Sequence, residues 1–507
     1  MPSPSIQSAV VPVSLPLDIQ TIIIRDYLIA EYRIHRARTY RVPASYDIRK
    51  RSPDRHTFGR YALVSSYWRA LVQPVLFQKF QFEGLHNLRD LQALCKQNPT
   101  LATYTRELRV VSGDWEAPPK SVLTCMSPSN VSYRRVAPEP TVLEQFSQAM
   151  WAMLQHWNSV RGAREKGYGR IPLNLEIEFY VSNPATGLPK CFAPLMTGYA
   201  DQKLEFLDSL EIKAHNVSKP TLRRMLHPVF YPAPLLPLVL AARELRTLAL
   251  RTEVLSEDST AGTPDSDSDD GVIMPRAVPG VTSMTSSNLT QLFPRMAAYR
   301  SLKSVQFELF VTKPLRTGAP DLLSRAVRDI SYALIEFKAF ISHISTEISV
   351  PDIYDDDDLQ DQWQEMKSYS LAFGDQDAWG DAYFFSVGHH QNTRSPRLER
   401  LEPLMRASVE QLTRMPKIEK WEVGCSMFHS QNPRPVGVSI WANAEPRIVD
   451  FCMTVIVTRD RYSESAVCHH TRNYIPSSRV KEILRERWPQ VRFETSLGPR
   501  MMDWRGL

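Results

Sequence analysis

The feature that most constrains the fold is a short apolar unit that recurs beyond residue 100. In each copy an apolar residue is followed by a second at plus three and a third at plus five. The last two differ by two, the period at which alternate side chains of a strand point to one side. Each unit therefore predicts a short strand. The full copies are Leu207-Leu210-Ile212, Leu245-Leu248-Leu250, Leu302-Val305-Phe307 and Ile418-Trp421-Val423, with partial copies at Leu108-Val110 and Trp488-Val491-Phe493.

Apolar stripes with helical spacing precede several of these units, at 142–157, 289–299, 401–415 and 480–488. A helix and then a strand, repeated, is the organisation of a leucine-rich repeat. The full units start 38, 57 and 116 positions apart (207 to 245, 245 to 302, 302 to 418), whereas regular leucine-rich repeats recur about every 20–29 residues. The pattern favours an irregular leucine-rich-repeat-like α/β solenoid over 101–507, with a separate compact α/β domain as the alternative.

A different apolar pattern marks the N-terminal eighty or so residues. Ile19, Ile23 and Tyr27 recur at four-residue steps and predict one face of a helix, which Leu15 and Leu28 extend. A second stripe predicts another amphipathic helix that a proline should end or kink, before a short strand around 77–82. The second stripe consists of Phe58, Tyr61, Val64 and Trp68, and the proline is Pro74.

Together the two stripes resemble an F-box. The resemblance rests on Leu15-Pro16 followed by Ile19 and Ile23, and on the ending Val64-Ser65-Ser66-Tyr67-Trp68-Arg69. The run Gln73-Pro74-Val75-Leu76-Phe77 is also similar to the exit of the F-box in large fungal-type F-box proteins. An ordinary N-terminal helical hairpin is the alternative interpretation of these residues.

The resemblance implies a non-enzymatic substrate-recognition adaptor of an SCF-type ubiquitin ligase, with no cofactor. A Skp-type adaptor of the cullin complex would dock on the N-terminal helices, and residues 101–507 would recruit a protein target that the sequence does not identify. An F-box-like scaffold that acts outside ubiquitin ligases is the alternative. The residues expected to form or support the docking surface are Leu15, Pro16, Ile19, Ile23, Leu63, Val64 and Trp68.

A basic insertion at 29–57 separates the two halves, whereas a compact F-box passes almost directly from its first helix to its second. Between positions 33 and 60 there are nine Lys or Arg against two Asp, an excess of seven, while the whole chain has 61 minus 55, or plus six. The basic cluster Arg49-Lys50-Arg51 with Arg55 could serve as a nuclear-localisation patch or a phosphate-binding surface, which makes a nuclear nucleic-acid-binding protein a second alternative. We favour a solvated loop, because these residues match no nucleic-acid motif.

Catalytic and metal-binding patterns are weak in this sequence. It contains no phosphate-binding Gly-x-x-x-x-Gly-Lys-Ser/Thr loop, no Gly-x-Ser-x-Gly elbow and no His-Glu-x-x-His helix. Cys425, His429, Cys452 and Cys468-His469-His470 are residue types that bind zinc, but their spacing matches no zinc module. The run at 355–358 lacks the alternating ligands of a calcium loop. We therefore expect neither an enzyme nor a metal site.

The predicted organisation starts with a flexible tail at 1–14 and an F-box-like helical domain at 15–82. An α/β domain follows at 101–507, interrupted by a disordered acidic loop at 256–271 and an acidic loop at 351–363. Six scattered cysteines predict free thiols in an intracellular protein, cytoplasmic or nuclear. The longest apolar run is far shorter than the roughly 20 residues of a membrane helix, so we expect no membrane segment.

Overall fold

A computed structural model of the protein shows a mixed α/β fold, which confirms the predicted class. In the part of the chain that is described, ten α-helices accompany a 13-stranded sheet. The described residues are 16–28, 60–111, 114–116, 134–136, 140–168, 172–181, 203–216, 236–254, 286–311, 314–350, 362–386, 394–426, 448–459, 464–471, 474–496 and 500–501.

The first helix, α1, is continued by a π-helix at Ile23–Leu28, and a 3₁₀ turn lies at Thr346–Ile348. The α-helices are α1 Leu17–Ile22, α2 Ser66–Leu76, α3 Gly84–Gln97, α4 Thr100–Tyr104, α5 Pro140–Tyr168, α6 Leu236–Ala241, α7 Ser286–Ala297, α8 Leu322–Ser331, α9 Leu398–Thr413 and α10 Ser478–Arg487.

Thirteen of the described strands form the large sheet. They are β1 Lys79–Glu83, β2 Glu107–Val111, β5 Leu173–Val181, β6 Leu207–Asn216, β7 Thr247–Val254, β8 Ser304–Val311, β9 Glu336–Ile344, β10 Ser368–Asp377, β13 Lys420–Ser426, β14 Ile448–Arg459, β15 Glu464–Thr471, β16 Arg492–Ser496 and β17 Arg500–Met501. Two small hairpins pair β3 Asp114–Glu116 with β4 Arg134–Val136, and β11 Phe384–Ser386 with β12 Arg394–Pro396.

The strands of the large sheet lie side by side in the order of the sequence. From β1 to β13 every neighbouring pair is parallel. The direction reverses at β14 and again at β15, after which β16 is parallel to β15, while β17 pairs with β14. Two parallel neighbours must begin at the same end of the sheet. After each strand the chain therefore crosses back to that end before the next strand begins, and several of these crossovers contain a helix.

One row of apolar side chains crosses almost the entire sheet. Its members are register partners on successive strands, and each is at most 1% exposed. They are Leu108, Leu175, Leu210, Leu248, Val305, Phe337, Tyr369, Trp421, Val455 and Cys468. A second row two residues further on, which includes Ile177, Phe307 and Val423, is also buried. We call these the helix-facing rows, because they share one apolar core with the helices.

Ring contacts show how the helices pack on these rows. Phe293 of α7 stacks on Phe307 of β8, with ring centroids 4.8 Å apart.

Arg161 of α5 is fully buried, and its guanidinium donates to the Ala102 and Thr105 carbonyl oxygens. The buried charge is therefore tied to the end of α4, which holds α5 against the start of the sheet.

The alternate side chains form a polar face on the other side of the sheet. In the central row, Gln306, Lys338, Ser370 and Glu422 are successive register partners. Glu422, which is 8% exposed, accepts hydrogen bonds from Ser370 Oγ and Thr454 Oγ1, each at 3.4 Å. Strand alternation thus places the apolar core on one side and hydrogen-bonding groups on the other.

The sequence predicted these elements well. All four full units and both partial units end in a strand, although Leu245, Leu302, Ile418, Trp488 and Val491 precede their strands, and the four helical stripes largely coincide with α5, α7, α9 and α10. The wide gap between the units at 302 and 418 is filled by β9 and β10. Leu334-Phe337-Ala339 and Met366-Tyr369-Leu371 follow the same plus-three, plus-five spacing, and each unit begins 32 positions after the one before it (302 to 334, 334 to 366).

Two segments differ from the sequence-based outline. The strand predicted around 77–82 is present as β1, but it is the first strand of the large sheet, so residues from 79 onward continue into that sheet. At the end of the loop predicted over 351–363, Trp363 is fully buried, and its indole N–H donates to Ser331 Oγ at 2.8 Å. Residues 351–361 of that loop lie outside the described part, as do 1–14 and 256–271.

None of the described helices combines the length and the apolar character needed to cross a bilayer. The longest, α5, spans 29 residues, and charged residues interrupt it.

The helix-facing rows predict a large asymmetry between two adjacent residues of β8. Phe307→Ala should lower the free energy of unfolding by about 3–5 kcal/mol, because it removes a buried ring and its contact with Phe293. Gln306→Ala, on the polar face, should change it by no more than about 0.5 kcal/mol. Urea unfolding of the two variants measures the difference, and equal losses would contradict the assignment of the faces.

Candidate functional site

The N-terminal helices form a small unit with its own core. We call residues 16–28 and 60–77 the N-terminal module. Its core centres on Ile24 and Val72, both fully buried, and is completed by Ala62, Val75 and Leu76. Residues 16–28 and α2 are therefore packed neighbours in space, although 29–57 separates them in the chain.

Two polar contacts join α1 to α2. The Trp68 indole N–H donates to Gln20 Oε1 at 2.7 Å, and the hydroxyl groups of Thr21 and Tyr67 are hydrogen-bonded. Trp68 is half-buried, and its ring lies against Tyr61, with centroids 5.9 Å apart. These contacts fix the relative position of the helices in addition to the small apolar core.

The predicted helix through Phe58 and Trp68 is wrong in its position. Residues 60–61 are helical, 62–64 form a turn, and α2 begins only at Ser66. Ser65 caps it, since its side-chain oxygen accepts a hydrogen bond from Trp68 N at 3.1 Å. Serine is favourable at an N-cap, so a new helix begins after Ser65. The single helix that the apolar spacing predicted is therefore interrupted.

The turn places Leu63 and Val64 on the surface. Exposed large apolar side chains are concentrated in the N-terminal module, which holds five of the ten found in the described residues. They are Leu17 at 59%, Ile19 at 44%, Ile22 at 56%, Leu63 at 76% and Val64 at 60% exposed. Single exposed apolar residues are common on proteins, so it is their number within this short module that makes it a candidate interaction site.

The structure sorts the predicted docking residues into two groups. Ile19, Leu63 and Val64 are exposed, and Pro16 is exposed at the N-cap of α1. Trp68 and Ile23 are half-buried, so they support the surface more than they form it; Leu15 lies outside the described residues.

The sequence pattern missed Leu17 and Ile22 as surface residues and Ile24 as the core residue. The predicted stripe placed Ile19 and Ile23 on one face at a four-residue step. A π-helix begins at Ile23, and its i to i+5 geometry rotates the following residues. Ile24 is fully buried in the module core, whereas Ile23 is half-buried and Ile19 is exposed. The run Ile22-Ile23-Ile24 carries an apolar residue at every position, so periodicity could not identify the buried one.

Phe77 connects the N-terminal module to the sheet. Its side chain packs against both the module core and the main core. Its ring stacks on Phe80 of β1, with centroids 5.6 Å apart. The module therefore continues directly into the first strand of the sheet.

The basic cluster Arg49, Lys50, Arg51 and Arg55 lies outside the described residues. Its three interpretations remain predictions from the sequence.

The cysteine and histidine candidates are largely part of the sheet. Cys425 and Cys468 are fully buried, and the Cys425 thiol donates to the Gly374 carbonyl oxygen at 3.2 Å. His470 continues the second helix-facing row, while His429 lies outside the described residues. Among the described residues, no three His, Cys, Asp or Glu side chains are grouped as metal ligands.

One arrangement at the end of β9 is superficially similar to a nucleophile and its base. Ser342 Oγ is 3.0 Å from His343 Nδ1, and His343 Nε2 is 3.2 Å from Gln376 Oε1. A glutamine cannot balance an imidazolium as a carboxylate does. Ser342 Oγ is also hydrogen-bonded to both Val311 N and Val311 O, so it completes the pairing of β8 with β9.

Comparisons with protein-family models and with curated proteins find no match for this chain. The N-terminal module and the polar face of the sheet are the two candidate functional surfaces of the described residues.

The contact between Gln20 and Trp68 predicts an energetic coupling. Gln20→Ala and Trp68→Phe should each loosen the module, and the double variant should lose less than the sum by about 0.5–1.5 kcal/mol, the value of one hydrogen bond. Hydrogen exchange of the α2 amides in the full chain measures each free energy of opening. Additive losses would show that the contact contributes nothing to the module.

Proposed function

We propose that this chain is an F-box-type substrate-recognition adaptor of an SCF-type ubiquitin ligase. In this proposal a Skp-type adaptor docks on the N-terminal module, and the sheet region recruits a protein target. The observation that supports the proposal is the number of exposed apolar side chains on a module whose helices are packed together and joined by hydrogen bonds.

The N-terminal module is suited to binding because its exposed residues are separate from its core. Ile24 and Val72 hold the helices together, whereas Leu17, Ile19 and Leu63 remain available. Full burial of one such side chain contributes on the order of 1.5–3 kcal/mol, so a few large residues are enough for a stable helix-in-groove contact. In most interfaces a few residues contribute most of the binding free energy. We therefore expect two or three of the five exposed apolar residues to dominate the free energy of adaptor binding.

We propose further that the sheet region is an irregular leucine-rich-repeat-like solenoid. The sequential order of the strands, their parallel pairing from β1 to β13 and the shared row of apolar residues support it. In such an array each unit contacts mainly its neighbours, which leaves an extended surface for a partner. The unequal unit lengths and the antiparallel strand β14 depart from a regular array, and the antiparallel pairing is confined to its C-terminal end.

No residue of this chain performs chemistry in the proposed mechanism. The chain would hold a target near the conjugating enzyme that the cullin complex carries, and the rate of ubiquitin transfer would rise because the two are confined together. The firm connection through Phe77 suits this role, since it fixes the target-binding region relative to the docked adaptor.

The proposal predicts that capture of a purified Skp-type adaptor depends on the exposed residues of the N-terminal module. The variant Ile19→Asp/Leu63→Asp should reduce capture by about thirtyfold or more, because it places two charges in a contact that buries apolar side chains. The matched control is Leu322→Asp/Leu398→Asp, which changes two exposed leucines of α8 and α9. The control should capture as much adaptor as the wild type.

Failure of the wild-type chain to retain the adaptor would overturn the proposal. Capture without ubiquitin transfer to any bound protein in the reconstituted ligase would instead support a scaffold that uses the same docking surface outside ubiquitin ligases. Circular dichroism of both variants verifies that loss of capture is not loss of folding.

A further inference from the structure

The last strand of the large sheet has one side without a neighbouring strand in the described part of the chain. Strand β16 pairs with β15 only, and the chain after it supplies β17 to β14 instead. The outer edge of β16 thus presents backbone N–H and C=O groups of the kind that pair with an added strand.

Three cations surround this edge. Lys481 and Arg485 of α10 lie over the ring of Phe493, at 5.9 Å and 5.5 Å from its centroid. Phe493 is the register partner of Cys468 and packs against the main core, so these two cations flank the helix-facing side of β16. Arg492 is exposed and, one position earlier in the strand, belongs to the opposite side.

Most of the acidic residues nearby lie beside an arginine, and Glu494 lies beside a histidine, which is a cation only when it is protonated. Glu482 and Glu486 lie 3.3 Å and 4.0 Å from Arg479, and Glu494 lies 3.3 Å from His469. Glu464 pairs with Arg459 and Arg487.

By contrast, within the described residues Lys481, Arg485 and Arg492 are not in any ion pair. The helix-facing side of the edge therefore carries positive charge from Lys481 and Arg485, and Arg492 adds a cation on the opposite side, where Glu494 also lies.

We propose that the outer edge of β16 binds an extended acidic segment of a protein partner by strand addition. Backbone hydrogen bonds along the edge would hold the segment, as in other cases of strand addition. Its alternate side chains would point to the two sides of the sheet, so that acidic residues reach Lys481 and Arg485 on one side and Arg492 on the other. This site would supply charge selectivity at the C-terminal end of the polar face, and it does not depend on adaptor docking by the N-terminal module.

The rival explanation is that the charges only discourage unwanted edge pairing. Lysine and arginine on a terminal strand are a common protection against aggregation. The two explanations differ in a measurable way, because protection predicts no binding of any extended peptide.

The test uses the full chain and a fluorescein-labelled decapeptide of alternating glutamate and valine. Fluorescence anisotropy should show that this acidic peptide binds saturably to the wild type. The peptide in which lysine replaces glutamate should not bind. The variant Arg485→Glu/Arg492→Glu should bind the acidic peptide at least about tenfold more weakly. The matched control Arg243→Glu/Arg414→Glu makes the same charge change at two exposed arginines outside α10 and β16, and should bind like the wild type.

A second peptide separates strand addition from simple charge attraction. Methylation of alternate backbone nitrogens removes hydrogen-bond donors and keeps all the glutamates, and it should weaken binding by about tenfold or more. The proposal is overturned if the wild type does not bind the acidic peptide, if the methylated peptide binds equally well, or if the edge variant binds like the wild type. None of these outcomes depends on the Skp-type adaptor, so the assay is independent of the proposed function.

Discussion

The structure depends on the burial of one continuous row of apolar side chains across the sheet, from Leu108 to Cys468. In a strand, alternate residues face opposite sides, so a shift of one residue in any strand would expose its core residues and bury its polar ones. That requirement fixes the register of successive strands and holds the helices on one side. It also produces the polar face, because the remaining positions have no other side to occupy.

The N-terminal module follows a different physical rule. Its core is too small to bury all of its apolar residues, and Gln20 and Trp68 stabilise the contact between its helices through a hydrogen bond. Leu17, Ile19 and Leu63 remain exposed on a unit that Phe77 attaches to the sheet. A unit with a sparse core and an exposed apolar surface is well suited to association with a partner, which would complete the burial.

The sequence predicted the elements of the sheet because the plus-three, plus-five spacing is a direct consequence of strand geometry. The units at Leu334 and Met366 keep the same spacing and were therefore predictable from the sequence as well. A repeated helix and strand implies parallel pairing, but the reversal of direction at β14 was not predictable, because it depends on contacts between segments distant in the chain.

In the candidate site, sequence reasoning identified Ile19, Leu63 and Val64 but not their structural setting. The π-helix at Ile23–Leu28 and the cap at Ser65 both change which residues face outward. Neither feature can be predicted from α-helical periodicity. A π-helix changes the spacing at which residues share a face, and a cap depends on a single polar side chain.

We propose that the N-terminal module binds a Skp-type adaptor by burying its exposed apolar side chains. Titration calorimetry of the full chain with the purified adaptor, carried out at several temperatures, tests it most directly. We expect a one-to-one complex whose binding has a clearly negative heat-capacity change, because apolar surface is buried. Absence of binding, or binding with a heat-capacity change near zero, would contradict it.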